Sequence, residues 1–147
     1  MPRLQFEGFS IAFPRGWAEL EHEATFSDPT ERERKTFGSP GSAGVLHVAL
    51  VPHDPEEPPR SLREHTGSLA RGWGRARGLR APLSIASLVR EDGVLASAEY
   101  QLAGDYVAVF YLANEDVTLQ ASYVCDWRSR EDERALRDQL IASMTFA

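Results

Sequence analysis

Apolar and polar positions alternate through most of this chain with the two-residue period of β-strands, and twice the period lengthens to that of a helix. Residues 9–17 set the pattern. Phe9, Ile11 and Phe13 share one parity, Pro14 stops the strand, Gly16 turns the chain, and Trp17 re-enters the core. Residues 4–13 read as one strand or as two short ones broken at Gly8. Alternation continues through 17–28, with a further short strand expected at 24–27 and a charged, turn-like stretch at 29–34. Residues 35–37 read as a strand end, followed by the flexible loop Gly38-Ser39-Pro40-Gly41-Ser42. Residues 44–51 are apolar on both parities, which marks a strand covered on both faces and central in its sheet.

The first helical period follows an exposed connection at 52–59, which holds four prolines and three acids, Asp54, Glu56 and Glu57. Ser61 and Glu64 have the spacing of a capping box, in which the hydroxyl accepts from the third backbone N–H. Leu62, Leu69, Trp73 and Ala76 are expected on one face. Gly67, Gly72 and Gly74 should each weaken this helix by about 1 kcal/mol relative to alanine, and Gly78 suits its C-terminal cap. Four strands then meander through 83–90, 94–102, 106–114 and 117–125, joined by short Asp- and Gly-bearing turns. A last helix is expected from about Ser129, with Asp132 three residues on and an apolar stripe of Leu136, Leu140, Ile141 and Met144. Strands, helix, meander, helix is an α+β order: one domain over 1–147, with a central antiparallel sheet of about six or more strands flanked by two main helices.

Composition changes this picture little. The chain of 147 residues is 42% hydrophobic and 26% charged, ordinary for a globular domain large enough to bury a core. No run of 18 apolar residues is present, so no membrane span is expected. Met1-Pro2-Arg3-Leu4-Gln5 leads directly into strand-like sequence without a signal-peptide core, so the expected compartment is the cytoplasm. The net charge of −6 argues against general nucleic-acid binding. That average hides a segregation. Segment 60–80 carries Arg60, Arg63, Arg71, Arg75, Arg77 and Arg80 against Glu64, a net +5, which leaves −11 for the rest.

Candidate chemistry is sparse. No two of His22, His47, His53 and His65 fall at helical ligand spacing, so neither a metal site nor a cofactor is expected. His47 lies mid-strand and reads as a buried, hydrogen-bonded histidine, His53 as solvated, and His65 as a neighbour of the helical apolar stripe. The single cysteine, Cys125, excludes an intramolecular disulfide and sits on the apolar parity of its strand, where a thiol is a small core residue. The 38–42 loop lacks the Gly-Lys-Ser/Thr ending of a phosphate-binding loop, and no Gly-x-Ser-x-Gly occurs. The arginines have two readings: a solvated helix face, or a docking face for an acidic partner formed by Arg60, Arg63, Arg71 and Arg75 with Trp73 as anchor.

The strand-Pro-x-Gly-Trp opening at 9–17, the mid-chain helix, the meander and the closing Ile141-x-Ser143-x-x-Phe146 together resemble the PsbP-like superfamily, which includes Ran-binding Mog-like and bacterial DcrB-like proteins. The resemblance covers nearly the whole chain in pattern and is specific in residues only at the two ends. It implies a central antiparallel sheet with helices packed on it. It also implies a binding role without catalysis, as extrinsic subunit, exchange-factor partner or secretion chaperone. The superfamily also includes the photosystem PsbP proteins, from which the chain departs in lacking a recognisable lumenal targeting segment.

The expected function is therefore a non-catalytic protein-binding module of a bacterial cell: an adaptor, secretion chaperone or immunity-type protein whose partner is another protein, such as a toxin or secreted effector. The alternative is a small-molecule-binding or hydrolytic protein with a cleft between sheet and helix, using His47, Glu99, Tyr100 and Tyr111. A third reading is a homodimer formed through an edge strand.

Overall fold

The alternation at the N-terminus resolves into a hairpin. In the computed structural model, which describes residues 3–20, 34–41 and 43–146, β1 (Arg3–Phe6) and β2 (Phe9–Ala12) pair antiparallel about Gly8, whose φ of +88° is the left-handed region that glycine enters without strain. Pro14-Arg15-Gly16-Trp17 closes as a β-turn through Trp17 N donating to the Pro14 carbonyl at 3.2 Å, with Gly16 at φ +90° in the third position. The remaining strands are β3 (Ala18–Leu20), β4 (Lys35–Gly38), β5 (Val45–Pro52), β6 (Ser84–Arg90), β7 (Gly93–Leu102), β8 (Asp105–Ala113), β9 (Val117–Asp126) and β10 (Thr145–Phe146). Among the described residues the α-helices are α1 (Leu62–Arg75) and α2 (Arg134–Ser143).

Seven strands form one antiparallel sheet in the order β3-β4-β5-β9-β8-β7-β6. β5 lies inside it, as its two apolar parities require. A small sheet, β1-β2-β10, and α2 pack on one face of the large sheet. The main core lies between them, with Leu46, Phe110, Leu119 and Tyr123 meeting Phe9, Ile11, Phe13 and Leu140. α1 packs on the opposite face over β6, β7 and β8, burying Ala96, Ala98, Tyr100, Val109 and Tyr111. It does not reach across β5.

The two sequence stretches that carry the resemblance meet in space. Phe146 pairs with Phe9 and Thr145 with Ser10 across β10 and β2. The Ser143 hydroxyl accepts from Ala12 N at 3.0 Å, and Arg3 Nη1 donates to the Ser143 carbonyl at 2.8 Å. Trp17 stacks on Phe13 and Tyr123 at 6.2 and 6.4 Å, so it edges the core.

Several local expectations are corrected. α2 begins at Arg134, not near Ser129: Asp126 caps a short 3-10 turn at Trp127–Ser129 instead, its carboxylate accepting from Ser129 N at 2.9 Å. The buried stripe of α1 is Thr66, Ala70 and Gly74, while Leu69 and Trp73 sit half-buried at its flank and Ala76 is exposed. Small residues let the helix backbone approach β7, and the Tyr100 hydroxyl reaches it to donate to the Ala70 carbonyl at 2.6 Å. Both expected helix signals at Ser61 and Gly78 are present: Ser61 Oγ accepts from Glu64 N at 3.2 Å, and Gly78 takes φ +72° just past the helix end. The strand expected at 24–27 lies outside the described residues. Among the described residues no helix is long and apolar enough to cross a membrane.

Candidate functional site, a groove beside a helix

Because α1 covers only one half of its sheet face, side chains of β5 and β9 on that face are left beside the helix rather than beneath it. β9 places Thr118, Gln120 and Ser122 there, and β5 places His47 opposite Ser122. The result is a groove walled by α1 and floored by β5, β9 and β8. One lobe, about 400 Å³, is lined by residues that include Arg34, His47, Trp73, Arg77, Tyr111 and Ser122, with no carboxylate among the described residues of its wall. A second lobe, about 480 Å³, adjoins it through Leu69, Tyr111 and Gln120 and is lined further on by His53, His65, Asp54 and Glu57. Among the described lining residues the groove thus carries arginines at one end and both signs of charge at the other.

The arginine-bearing lobe is organised around Trp73. The Arg77 guanidinium stacks 3.9 Å over its ring, and Arg77 Nη1 donates to the Trp73 carbonyl at 2.9 Å, which fixes an otherwise mobile charge at the rim. Trp73 leans in turn on Tyr100, ring centroids 5.1 Å apart. Burial raises the pKa of the Tyr111 hydroxyl, so it stands in the groove as a protonated donor and accepts from Gln120 Nε2 at 3.4 Å. His47 Nδ1 lies 3.0 Å from the Thr36 hydroxyl.

The other lobe holds an arrangement that the linear sequence conceals. His53 and His65, read as solvated and as a neighbour of the stripe, pack edge to face at 5.1 Å, and both Nε2 atoms reach the buried Thr118 hydroxyl, at 2.6 and 3.1 Å. The tautomers follow from the partners. His53 Nδ1 faces the Glu115 carbonyl, which only accepts, so Nδ1 carries the hydrogen and Nε2 accepts from Thr118. Thr118 then accepts from His65 Nε2–H. This relay ties α1, the 53–59 connection and the β8–β9 turn together. Within it the acceptor for the Thr118 hydroxyl is His53 Nε2, and His65 serves as a donor.

Burial, and then the neighbouring His53, lower the His65 pKa below its ordinary 6.5. The unfolded chain therefore takes up this proton first as pH falls. The stability it supports is complete above about pH 6.5 and is lost as pH drops towards the folded value. Urea midpoints should fall between pH 7.5 and 5.5 in the native protein, and His65→Gln should flatten that fall. An unchanged slope in the variant would assign the pH dependence elsewhere.

Of the arginine set, Arg60, Arg63, Arg71 and Arg75 are all exposed and none lines the groove. They form a basic outer face, with Arg71 and Arg75 one turn apart on α1, while Trp73 turns into the groove. The four residues proposed for a cleft divide. His47 and Tyr111 share the arginine-bearing lobe, whereas Tyr100 is buried under α1 and Glu99 lies on the opposite face of the sheet, bonded to Ser84, Tyr106 and Arg137. Arg77, Gln120, Ser122 and the His53–His65 pair were not singled out as site residues from the sequence. The polar parity of β9, set against the apolar faces of β8, was the available signal. Burial, aided by Glu133 and Asp126, pushes the Cys125 thiol up to about 11, as befits a core residue. Among the described residues no three His, Cys, Asp or Glu side chains converge in a geometry that could hold a metal ion.

This architecture, a seven-stranded antiparallel sheet between a helix and a small sheet with its own helix, is the PsbP-like fold. The solution structure of cyanobacterial PsbP (CyanoP) from Synechocystis sp. PCC 6803 superposes with a TM-score of 0.73 at 11% identity, over 99% of this chain and 92% of its own. A crystal structure from Bacteroides thetaiotaomicron VPI-5482 matches with a TM-score of 0.53 at 14% identity, over 95% of this chain and 45% of its own. No family model matches the sequence, and no curated protein does.

Proposed function

We propose that this chain is a non-catalytic protein-binding module of the bacterial cytoplasm, acting as adaptor, secretion chaperone or immunity-type protein. Its groove beside α1 receives an extended segment of the partner. The observation that carries this reading is the lining of the arginine-bearing lobe: Trp73 and Tyr111 offer aromatic surface, Gln120 and Ser122 offer hydrogen bonds, and the Arg77 guanidinium is fixed at the rim over Trp73. Such a lining suits an acidic segment with an apolar side chain to bury. Arg60, Arg63, Arg71 and Arg75 extend the same charge over the outside of α1 and would steer an acidic partner, such as a toxin or secreted effector, at low salt.

The test is fluorescence anisotropy with a labelled 12-residue peptide alternating Glu and Phe. Saturable binding is expected. Arg77→Glu should weaken it about tenfold or more, since hydrogen bonds to charged groups contribute about 1.5–3 kcal/mol. Arg71→Glu, on the outer face, should act mainly through the salt dependence. Equal effects of the two changes, or no saturable binding, would overturn the groove reading.

A second reading rests on the size of the same lobe. About 400 Å³ suits a small anionic molecule, with His47 and Tyr111 as its polar contacts. Native mass spectrometry of the purified protein separates the two, because a retained ligand mass favours the small molecule.

A further inference from the structure

The edge of the large sheet opposite β3 is undefended. β6 pairs with β7 on one side, in an unbroken register from Ser84↔Glu99 to Arg90↔Gly93, and no described strand covers its other side. Every residue from Ser84 to Val89 is exposed. Of the six large hydrophobic side chains exposed among the described residues, four belong to this strand and its approach: Leu83 at 58%, Ile85 at 46%, Leu88 at 58% and Val89 at 72%. Edge strands are ordinarily blunted by a proline, a lysine, an inward charge or a bulge. Residues 84–89 contain none of these, and Arg90 at the strand end is drawn to Asp92 by two hydrogen bonds of 3.0 Å.

The sequence of the strand says what covers it. Ser84-Ile85-Ala86-Ser87-Leu88-Val89-Arg90 is close to a palindrome in side-chain class about Ser87. If a second copy pairs antiparallel across a two-fold axis through Ser87, Ile85 faces Val89 of the other copy and Ala86 faces Leu88. Directly opposed residues in a sheet point to the same face. On each subunit Ile85, Ser87 and Val89 lie on the α1 face, opposite Ala98, Ala96 and Val94, and Ala86 and Leu88 lie on the other. Every large apolar side chain of the strand then meets an apolar partner on its own face. Moving the centre to Ala86 sets Ile85 against Ser87 and Leu88 against Ser84; moving it to Leu88 sets Ile85 against Glu91. Only the Ser87 register is self-complementary among these.

We infer that the protein is a homodimer whose two seven-stranded sheets join through β6 into one continuous sheet, with both α1 helices on the same side. The groove strands β5, β9 and β8 are separated from this edge by β7, so the dimer presents two grooves whatever occupies them.

Sedimentation velocity and charge pairing test the register directly. The native protein should sediment as a dimer that dissociates on dilution. Val89→Glu and Ile85→Lys, both at exposed positions, should each give a folded monomer by circular dichroism, because a charge is set against an apolar side chain twice per dimer. An equimolar mixture of the two variants should restore the dimer, since Glu at 89 then faces Lys at 85. Ser87→Cys, on the axis itself, should cross-link to a covalent dimer under mild oxidation. A native monomer at every concentration, a dimer that survives Val89→Glu, or a mixture that stays monomeric would each overturn the inference.

Discussion

Glu99→Ala should cost about 3 kcal/mol of folding stability, although the residue lies on the face of the sheet away from the groove. The reason is the charge it would strand. Arg137 of α2 has a side chain only 8% exposed, and its Nη1 donates to Glu99 Oε1 at 3.0 Å. Tyr106 and Ser84 also donate to the Glu99 carboxylate, and Arg137 donates to the Tyr106 oxygen. Removing one partner of a buried ion pair leaves the other desolvated, at a cost of about 3–5 kcal/mol. The lower end applies because Asp138 still accepts from Arg137 at 2.7 Å, though from an exposed position. The double variant Glu99→Leu/Arg137→Met should recover most of the loss, since an apolar pair of similar volume needs no compensation. Urea midpoints for the two single variants and the double form the cycle. A single-variant loss under about 1 kcal/mol would show that water reaches the site.

The same node sets an acid limit. Burial alone would raise the Glu99 pKa, but hydrogen bonds from Ser84, Tyr106 and Arg137, with the Arg137 charge, outweigh it and hold the carboxyl below its ordinary 4.5. A depressed carboxyl stabilises the fold above the unfolded pKa, so this contribution is complete above about pH 4.5 and disappears as pH falls further. It is separate in range from the histidine relay, whose contribution is lost at higher pH.

What was legible in the sequence is what periodicity encodes. β5 inside its sheet and the four-strand meander follow from apolar parity and turn residues, and these interactions are local or set by one face. Three features were not legible, each for a physical reason. The His53–His65–Thr118 relay assembles residues 12 and 53 positions apart, and no local rule brings a proline-rich connection back over a helix. Arg137 stands at i, i+3 and i+4 with Leu140 and Ile141, so its place on the apolar face was visible, but its carboxylate partner comes from a distant strand. The groove exists because α1 covers half a sheet face, and the coverage of a face depends on where a helix is set down. The polar parity Thr118, Gln120, Ser122 hinted at a half not beneath the helix without saying what lay beside it.

The two glycines near the end of α1 should respond to alanine in opposite directions, and this is the sharpest test of how the helix is seated. By propensity alone both replacements should stabilise, by up to about 1 kcal/mol each. At Gly72 nothing lies within 4 Å of a built Cβ, so that gain should appear, as a rise in Tm of roughly 2–4 °C. At Gly74 a Cβ would clash with the edge of the Tyr100 ring, well inside van der Waals contact with Cε1 and Cζ. That ring is buried and cannot swing aside without breaking its hydroxyl bond to the Ala70 carbonyl and its contact with Trp73. Overpacking of this kind costs about 1–3 kcal/mol, more than propensity returns, so Gly74→Ala should be net destabilising. Lifting α1 would also shift Trp73 and Arg77, and peptide binding in the groove should weaken with it. Tyr100→Leu, which makes room, should shrink the penalty of Gly74→Ala when the two are combined. If Gly74→Ala stabilises as Gly72→Ala does, then α1 rides higher on the sheet than its small-residue stripe implies, and the groove beside it is wider and shallower than its side chains now define.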